Sequence, residues 1–381
     1  MERFDFIIAG TGAAGLQLAW FMSRDPWFSD KKILLIDRDE KSINDRTWCF
    51  WERGKGVWDE VVCKSWHQVF FSGENFSRCF DLGAFSYKMI RSADFYAYVL
   101  KEIKGKNNFH FLNASVDDIH ESHEGAVVST SAGKLASGKV FSSIAATGAM
   151  EKARKDLWLS QHFKGWFVKS ATPVFDESAV VMMDYSVEQK GNTRFMYVLP
   201  LSPHEALVEY TLFSADLLAE KEYDDEIKQY LHGLGCFEYQ VNETEIGQIP
   251  MTTYPFWKSN TKNVLYIGTA GGWTKASSGY TFYFSGKKSV ALINFMKGNQ
   301  DLSRFHQTYR FGFYDQVMLD LLVRRNDLGK LFFTSVYRNQ PIERVLDFLN
   351  EESNIYDEAK IILSSEPRAE LLRSVMRVLR S

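Results

Sequence analysis

The chain opens on apolar runs separated by glycine. Phe4-Asp5-Phe6-Ile7-Ile8-Ala9 has strand length and Gly10-Thr11-Gly12-Ala13-Ala14-Gly15 follows it; Leu16, Ala19 and Met22 then recur at helical spacing. A second apolar run, Ile33-Leu34-Leu35-Ile36, closes on Asp37. Residues 41–56 turn polar and then aromatic, and read as a loop whose tryptophans cover something bulky. Ser92 reads as the N-cap of a helix with Phe95, Tyr98, Val99 and Ile103 at its apolar positions. Residues 108–145 read as short strands turning at His123-Glu124-Gly125 and at Ser137-Gly138. The texture changes near Gln161. Segments 165–175, 178–185, 194–200, 205–214 and 239–250 are strand-like, with a helical pattern over 222–234. Val264-Leu265-Tyr266-Ile267-Gly268 returns to the first texture; a loop with Gly271, Gly272 and Gly279 then leads into an apolar helix over about 280–296. From Ser303 onward the pattern is helical.

These patterns predict an α/β chain. Residues 1–160 and 258–300 form a Rossmann-type nucleotide-binding fold, 161–257 an inserted antiparallel substrate sheet, and 301–381 a helical C-terminal region. In the first turn Gly10 permits the tight bend, Gly12 lets backbone approach a pyrophosphate, and Gly15 lets helix and strand pack closely. The amides at the helix start, with the positive end of its dipole, suit phosphate. Asp37 lies 22 residues after Gly15, where a carboxylate can accept from a ribose hydroxyl. Ala146-Thr147-Gly148 after an apolar run suits a second loop over a dinucleotide, and the late glycine loop is another phosphate-cradling device. Two such devices at opposite ends of the chain favour FAD over NAD, and a glutathione-reductase-like or hydroxylase-like flavoprotein. The expected cofactor-binding set is Gly10, Gly12, Ala13, Ala14, Gly15, Asp37, Arg46, Thr147, Gly148, Gly268, Gly272 and Gly279.

Composition narrows the partners. A formal net charge of -3 gives no electrostatic ground for nucleic acid. Cys49, Cys63, Cys79 and Cys236 have no CxxC spacing, so neither zinc nor a dithiol is expected. The opening residues show no charged and then apolar leader pattern, so a cytoplasmic setting with free thiols is expected. No run reaches the roughly 18 apolar residues of a spanning helix. The aromatic share is 15%, with 30 Phe, enough for a large core or a pocket for a bulky apolar ligand.

Candidate chemistry concentrates in 194–214, read as a hairpin turning at Ser202-Pro203-His204. On its second strand Leu207, Glu209, Thr211 and Phe213 share one face, and Ala206, Val208, Tyr210 and Leu212 the other. Both faces are largely apolar, so at least partial burial of Glu209 is expected. Desolvation raises a carboxyl pKa, which keeps a glutamic acid protonated for use as an acid. The competing reading pairs Glu209 structurally with Arg194 across the hairpin.

This hairpin resembles the corresponding segment of the bacterial lycopene β-cyclases, in which an apolar-apolar-Glu-acidic-Thr strand carries the essential glutamate. Here it reads Leu207-Val208-Glu209-Tyr210-Thr211. The N-terminal glycine turn matches in order, as do Thr47-Trp48-Cys49-Phe50, Gln161-His162-Phe163-Lys164-Gly165, Gly247-Gln248-Ile249-Pro250-Met251-Thr252, and the region from Gly268 to Ser278-Gly279-Tyr280. The similarity weakens after about Tyr337. Tyr210 replaces the family's second acid, Thr269 a frequent Asp, and Ala276 a usual Pro.

The resemblance implies a flavin-dependent cyclisation of the open ends of lycopene to β-rings, without net redox. Glu209 is then the acid–base residue, FAD acts reduced, and NAD(P)H is a transient reductant. Trp48, Trp51, Trp166, Tyr197 and Trp273 are the expected walls of the polyene pocket. Aromatic faces stabilise a passing cation by about 0.5–2 kcal/mol each. The rival readings are an FAD monooxygenase or polyprenyl reductase of the same fold, and a non-catalytic flavin or carotenoid carrier. A bilayer-dissolved substrate further implies peripheral membrane docking. Leu331-Phe332-Phe333 is the favoured surface, ahead of the last helix with Leu371, Leu372, Val375, Met376, Val378 and Leu379 among Arg373, Arg377 and Arg380.

Overall fold

The computed structural model describes residues 1–306 and 310–380. Ile7, Ile8 and Ala9 are fully buried because their strand, Arg3–Ala9, lies inside a sheet covered on both faces. Phe109–Asn113, Ile33–Asp37, Arg3–Ala9, Gly133–Ser142 and Val264–Tyr266 run parallel in that sheet. Gly125–Thr130 and Val116–Ser122 extend it as an antiparallel edge. Helices Ala13–Arg24 and Phe282–Gly298 pack together beside it, and the buried Gln17 amide donates to the Phe282 carbonyl at 3.1 Å. This is the mixed α/β architecture the patterns predict.

Three local readings change. Ser137-Gly138 is not a turn but lies within Gly133–Ser142, where a Cβ on Gly138 would come within 2.9 Å of the Asp5 carbonyl oxygen. Residues 41–56 are not all loop: Thr47–Arg53 pairs with Phe85–Arg91, which pairs with Val62–Trp66 in a third sheet. Ser92 does not cap its helix. Its hydroxyl oxygen accepts from the Asp45 and Arg46 amides at 2.9 and 3.1 Å, pinning the approach to Thr47.

The second large sheet runs Tyr239–Thr252, Trp158–Ser170, Glu205–Ser214, Thr193–Ser202, Ala179–Asp184, Gln68–Gly73, Phe76–Asp81. Its last two strands come from within 1–160, so the stretch expected to serve the nucleotide fold alone is shared. Val69 and Phe71 of this segment are fully buried, and Phe71 stacks on Tyr337 of helix Gly329–Asn339 at 4.3 Å. One face of the sheet is covered by helix Glu220–Gly233. The other looks into a cavity roofed by the helices Arg310–Arg324, Gly329–Asn339, Ile342–Leu349, Ile355–Ser364 and Arg368–Val378. Lys275, from the late glycine loop, ties that roof to the nucleotide fold: its buried ammonium lies 2.8 Å from Asp315 and 3.0 Å from Glu351. No helix among the described residues is long and apolar enough to cross a membrane.

Candidate active site

The cavity, about 690 Å³, begins at the glycine turn. Gly10 has φ +90, and a Cβ there would meet the Ser143 hydroxyl oxygen at 2.1 Å; one on Gly15 would meet the Gly10 carbonyl oxygen at 2.0 Å. Gly12 is different, since a Cβ built on it meets nothing within 4 Å and it lines the cavity. It is also the N-cap of helix Ala13–Arg24 and supplies no side-chain cap, so first-turn amides stay available to a ligand. The late loop closes on the same place, with a Cβ on Gly268 lying 2.9 Å from that of Ala14. Gln161 Oε1 and Ser278 Oγ are buried against the cavity with no partner. Orphaned polar atoms beside an open glycine turn fit a polar ring system with a pyrophosphate tail, as in FAD.

Across the cavity stands Glu209, 8% exposed. It sits opposite Tyr197 on one side and Gly165 on the other. Burial pushes its carboxyl up to about 8; the Thr211 hydroxyl, donating to Oε1 at 2.7 Å, pulls it down, and the nearby Glu245 charge pushes it up again. No cation is paired with it among the described residues. Arg194 lies on the opposite face, where its Nη1 donates to the Tyr210 hydroxyl at 3.2 Å, which removes the structural pairing. Tyr210 itself is in the core under helix Glu220–Gly233, with Ala206, Val208 and Leu212.

Around Glu209 the wall is aromatic. The Tyr197 and Tyr87 hydroxyls are 2.7 Å apart, and those of Tyr87 and Tyr280 3.2 Å. Burial holds all three phenols well above their usual range, hence neutral. Trp51 meets the Tyr280 ring edge-on at 4.6 Å, and Trp48 stacks on Phe282 at 5.1 Å. The far end is lined by Phe332, Phe333, Ile362, Leu371 and Val375. A neutral acid at the wall of an apolar, aromatic cavity can protonate an alkene and shelter the resulting cation.

The family model described as "Lycopene cyclase protein" matches residues 5–375. The chain belongs to the lycopene cyclase family. A lycopene beta-cyclase of Pseudescherichia vulneris is 26% identical over 259 residues, which are 65% of this chain and 62% of that relative. The chain thus matches less than two thirds of its curated relative. Among solved structures, a geranylgeranyl bacteriochlorophyll reductase-like protein from Thermoplasma acidophilum aligns with TM-score 0.63 at 11% identity, covering 99% of this chain and 100% of that one. A flavoprotein/dehydrogenase from Cytophaga hutchinsonii aligns with TM-score 0.65 at 12%, covering 98% and 99%. A flavin-dependent brominase aligns with TM-score 0.59 at 14%, covering 99% of each. At these identities the three establish the fold alone.

Not every residue singled out in this cyclase-family chain lines the cavity. Asp37 is behind the glycine turn: its Oδ2 accepts from the Thr11 amide at 2.6 Å and hydroxyl at 2.9 Å, and its Oδ1 from the Asp39 amide at 3.0 Å. Burial pushes this carboxyl up, but those amides, Lys41 and the Thr11 hydroxyl outweigh it and hold it below its usual value. Arg46 lines the cavity; Thr147 and Gly148 do not, and Gly148 opens the short helix Ala149–Ala153 in the left-handed region. Gly279 lines it, while Gly272 closes the turn Gly268–Gly271 away from it. Trp166 is on the helix-covered face, its indole N–H donating to Asp224 at 3.1 Å, because its register partner is Val208 rather than Glu209. Trp273 is packed behind the late loop near Phe305. Of the two apolar stripes, Phe332 and Phe333 turn inward to line the cavity while Leu331 is 36% exposed, and in the last helix Leu371 and Val375 line the cavity while Leu372 and Met376 are 63% and 50% exposed. Tyr87, Thr211 and Glu245 were missed. Glu245 lies in a segment read only as strand-like, and the strand order brings it to the cavity.

Proposed function

We propose that the protein is a lycopene β-cyclase that works with reduced FAD. The observation that carries the reading is Glu209, a carboxyl buried without a cation among the described residues and pushed up by that burial, on an aromatic cavity continuous with a nucleotide cradle. Gly12, Ala13, Ala14, Arg46, Gly268, Thr269 and Gly279 would hold the cofactor. Reduced flavin, when bound, supplies an electron-rich surface against positive charge. Glu209 delivers its proton to the terminal double bond of the polyene, the ring closes, and a neighbouring carbon loses a proton. Trp51, Tyr87, Tyr197 and Tyr280 exclude water from the cation. NAD(P)H serves as the reductant and is not consumed in proportion to product.

An apolar substrate of this length is delivered from a bilayer. The apolar end of the cavity lies under the last two helices, which expose Ile362, Leu363, Leu372, Met376 and Leu379 beside Arg373 and Arg380. This basic, apolar surface suits an anionic interface. Anaerobic incubation with lycopene and catalytic reductant, followed by chromatography, tests the reading. Cyclic product without stoichiometric loss of reductant is expected. A hydroxylated or hydrogenated product would point to the monooxygenase or reductase, and unchanged lycopene to a carrier.

A further inference from the structure

Ring closure has two proton steps at different carbons, and Glu209 accounts for the first. Among the described residues lining the cavity, the carboxylates are Asp45, Glu209, Glu245 and Asp315. Asp315 is paired with Lys275, and Asp45 accepts from the Tyr96 hydroxyl at 2.9 Å near the nucleotide end. Glu245 remains. It is 8% exposed, and in the register of Tyr239–Thr252 it sits opposite Gly165 of the neighbouring strand. Gly165 sits opposite Glu209 on its other side. The two glutamates therefore flank one glycine in a single cross-strand row, roughly 9.5 Å apart at Cα from two strand spacings. A Cβ on Gly165 would come within 2.8 Å of Leu207 Cδ1 and 3.4 Å of Glu209 Cβ, so glycine keeps the floor between them open. That gap suits a six-membered ring.

Burial raises both carboxyls, but their hydrogen-bond donors differ. Glu209 has one hydroxyl donor and apolar neighbours. Glu245 accepts from the Thr47 amide at 3.0 Å on Oε1 and from the Thr47 hydroxyl at 2.7 Å on Oε2. Burial holds Glu245 above the ordinary carboxylate value, and both Thr47 bonds, Arg46 and Arg91 pull it only part of the way back. The charged and titratable groups facing Glu245 are Arg46 before strand Thr47–Arg53, Cys49 within it, Arg91 of strand Phe85–Arg91, and Glu209; Glu243 on its own strand is paired with Arg91. Of two neighbouring carboxyls, the one with two donors and two nearby guanidiniums is the better holder of a negative charge, which divides the acid and base roles.

We infer that Glu245 is the proton acceptor of ring closure. The inference rests on the cyclase reading above. Glu209 gives its proton to the terminal alkene carbon, the π electrons form the ring bond, and the cation loses a proton from the adjacent ring carbon to Glu245. The proton then returns to Glu209 through the cavity, and no electron is gained or lost.

The tests are the pH profile of kcat and the product composition for Glu245→Gln and Thr47→Val. Wild type should show a bell, its acid limb set by Glu245 and its basic limb by Glu209. Glu245→Gln should cyclise about 100-fold more slowly, lose the acid limb, and shift the remaining product towards rings with a displaced double bond, since the cation then loses a proton elsewhere. Thr47→Val, which removes one donor to the charged form, should move the acid limb up by roughly one pH unit and leave the basic limb in place. If Glu245→Gln does not fold, Thr47→Val decides alone. An acid limb unmoved in the variants that fold, or Glu245→Gln within threefold of wild type with the same product, overturns the inference. Infrared titration of the protonated carboxyl needs no substrate. In Glu245→Gln the Glu209 band should disappear at lower pH than in wild type, because the neighbouring charge is gone. Wild type that never cyclises lycopene overturns the parent reading, whereas intact cyclisation with an unmoved band overturns only the role of Glu245.

Discussion

The two faces of the second sheet bury polar groups in opposite ways. On the face under helix Glu220–Gly233 each is answered. The His162 Nδ1 accepts from the Tyr223 hydroxyl and its Nε2 meets the Ser214 hydroxyl, both at 2.6 Å. Burial pushes this imidazole down to about 4, so it stays neutral in its network. Lys164 reaches Asp224 at 2.7 Å, and Arg194 reaches Tyr210. On the cavity face Thr47 holds Glu245, but Glu209 has one hydroxyl and Gln161 Oε1 has nothing. Buried polar groups cost free energy unless paired, so a fully paired set is the mark of structure and an under-paired set the mark of a site awaiting its ligand. The same strand, Glu205–Ser214, supplies both, through alternation alone.

The sharpest way to break this contrast is Glu209→Gln. It should lower cyclisation roughly 10²–10⁴-fold while flavin binding and the circular dichroism spectrum stay as in wild type. Near-parent turnover would remove Glu209 from the mechanism.

The second effect is on pH. Below the unfolded carboxyl's value of 4.5, folded and unfolded chains both hold the Glu209 proton. Between 4.5 and about 8 the unfolded chain releases it and the folded chain keeps it, so stability falls as pH rises and levels off above 8. Denaturant titrations should show Glu209→Gln gaining on wild type over that window, by on the order of 2–5 kcal/mol. Turnover should fall through the same upper limit. Parallel stability–pH curves for the two proteins would mean Glu209 is not held neutral.

On the paired face the consequences reverse. Tyr223→Phe leaves His162 Nδ1 without its donor and should cost about 1–3 kcal/mol of stability, with kcat per folded molecule unchanged. A large loss of kcat at unchanged stability would place that network in the reaction.

The smallest effect separates the tryptophans. Trp51→Phe, beside Tyr280, should lower kcat several-fold, consistent with about 1 kcal/mol of cation stabilisation. Trp166→Phe should leave kcat alone and alter only melting. Equal kinetic effects from both would blur the distinction between the faces.

Much of this was legible in the residues. The apolar run before 10–15 and the run ending at Asp37 determined a parallel sheet with a glycine turn, because continuous apolar strands have no other use than double burial. Alternation along 205–214 determined that Glu209 and Tyr210 part company, since a strand has only two faces. Sequence could not say which face meets which neighbour. Trp166 and Trp48 look alike as aromatic residues beside motifs, but only strand register sends one under a helix and the other to the cavity. Asp37 has the right spacing for a ribose, and tertiary folding adds a second task that spacing does not show, holding Thr11 of its own glycine turn. Phe332 and Leu372 both sit on amphipathic helices, and periodicity is blind to whether a stripe meets core or solvent. Glu245 became a neighbour of Glu209 only because Trp158–Ser170 lies between their strands and places a glycine there. Local pattern determines how a segment folds; which chemical groups face one another is decided by strand order and register, through contacts far apart in the chain.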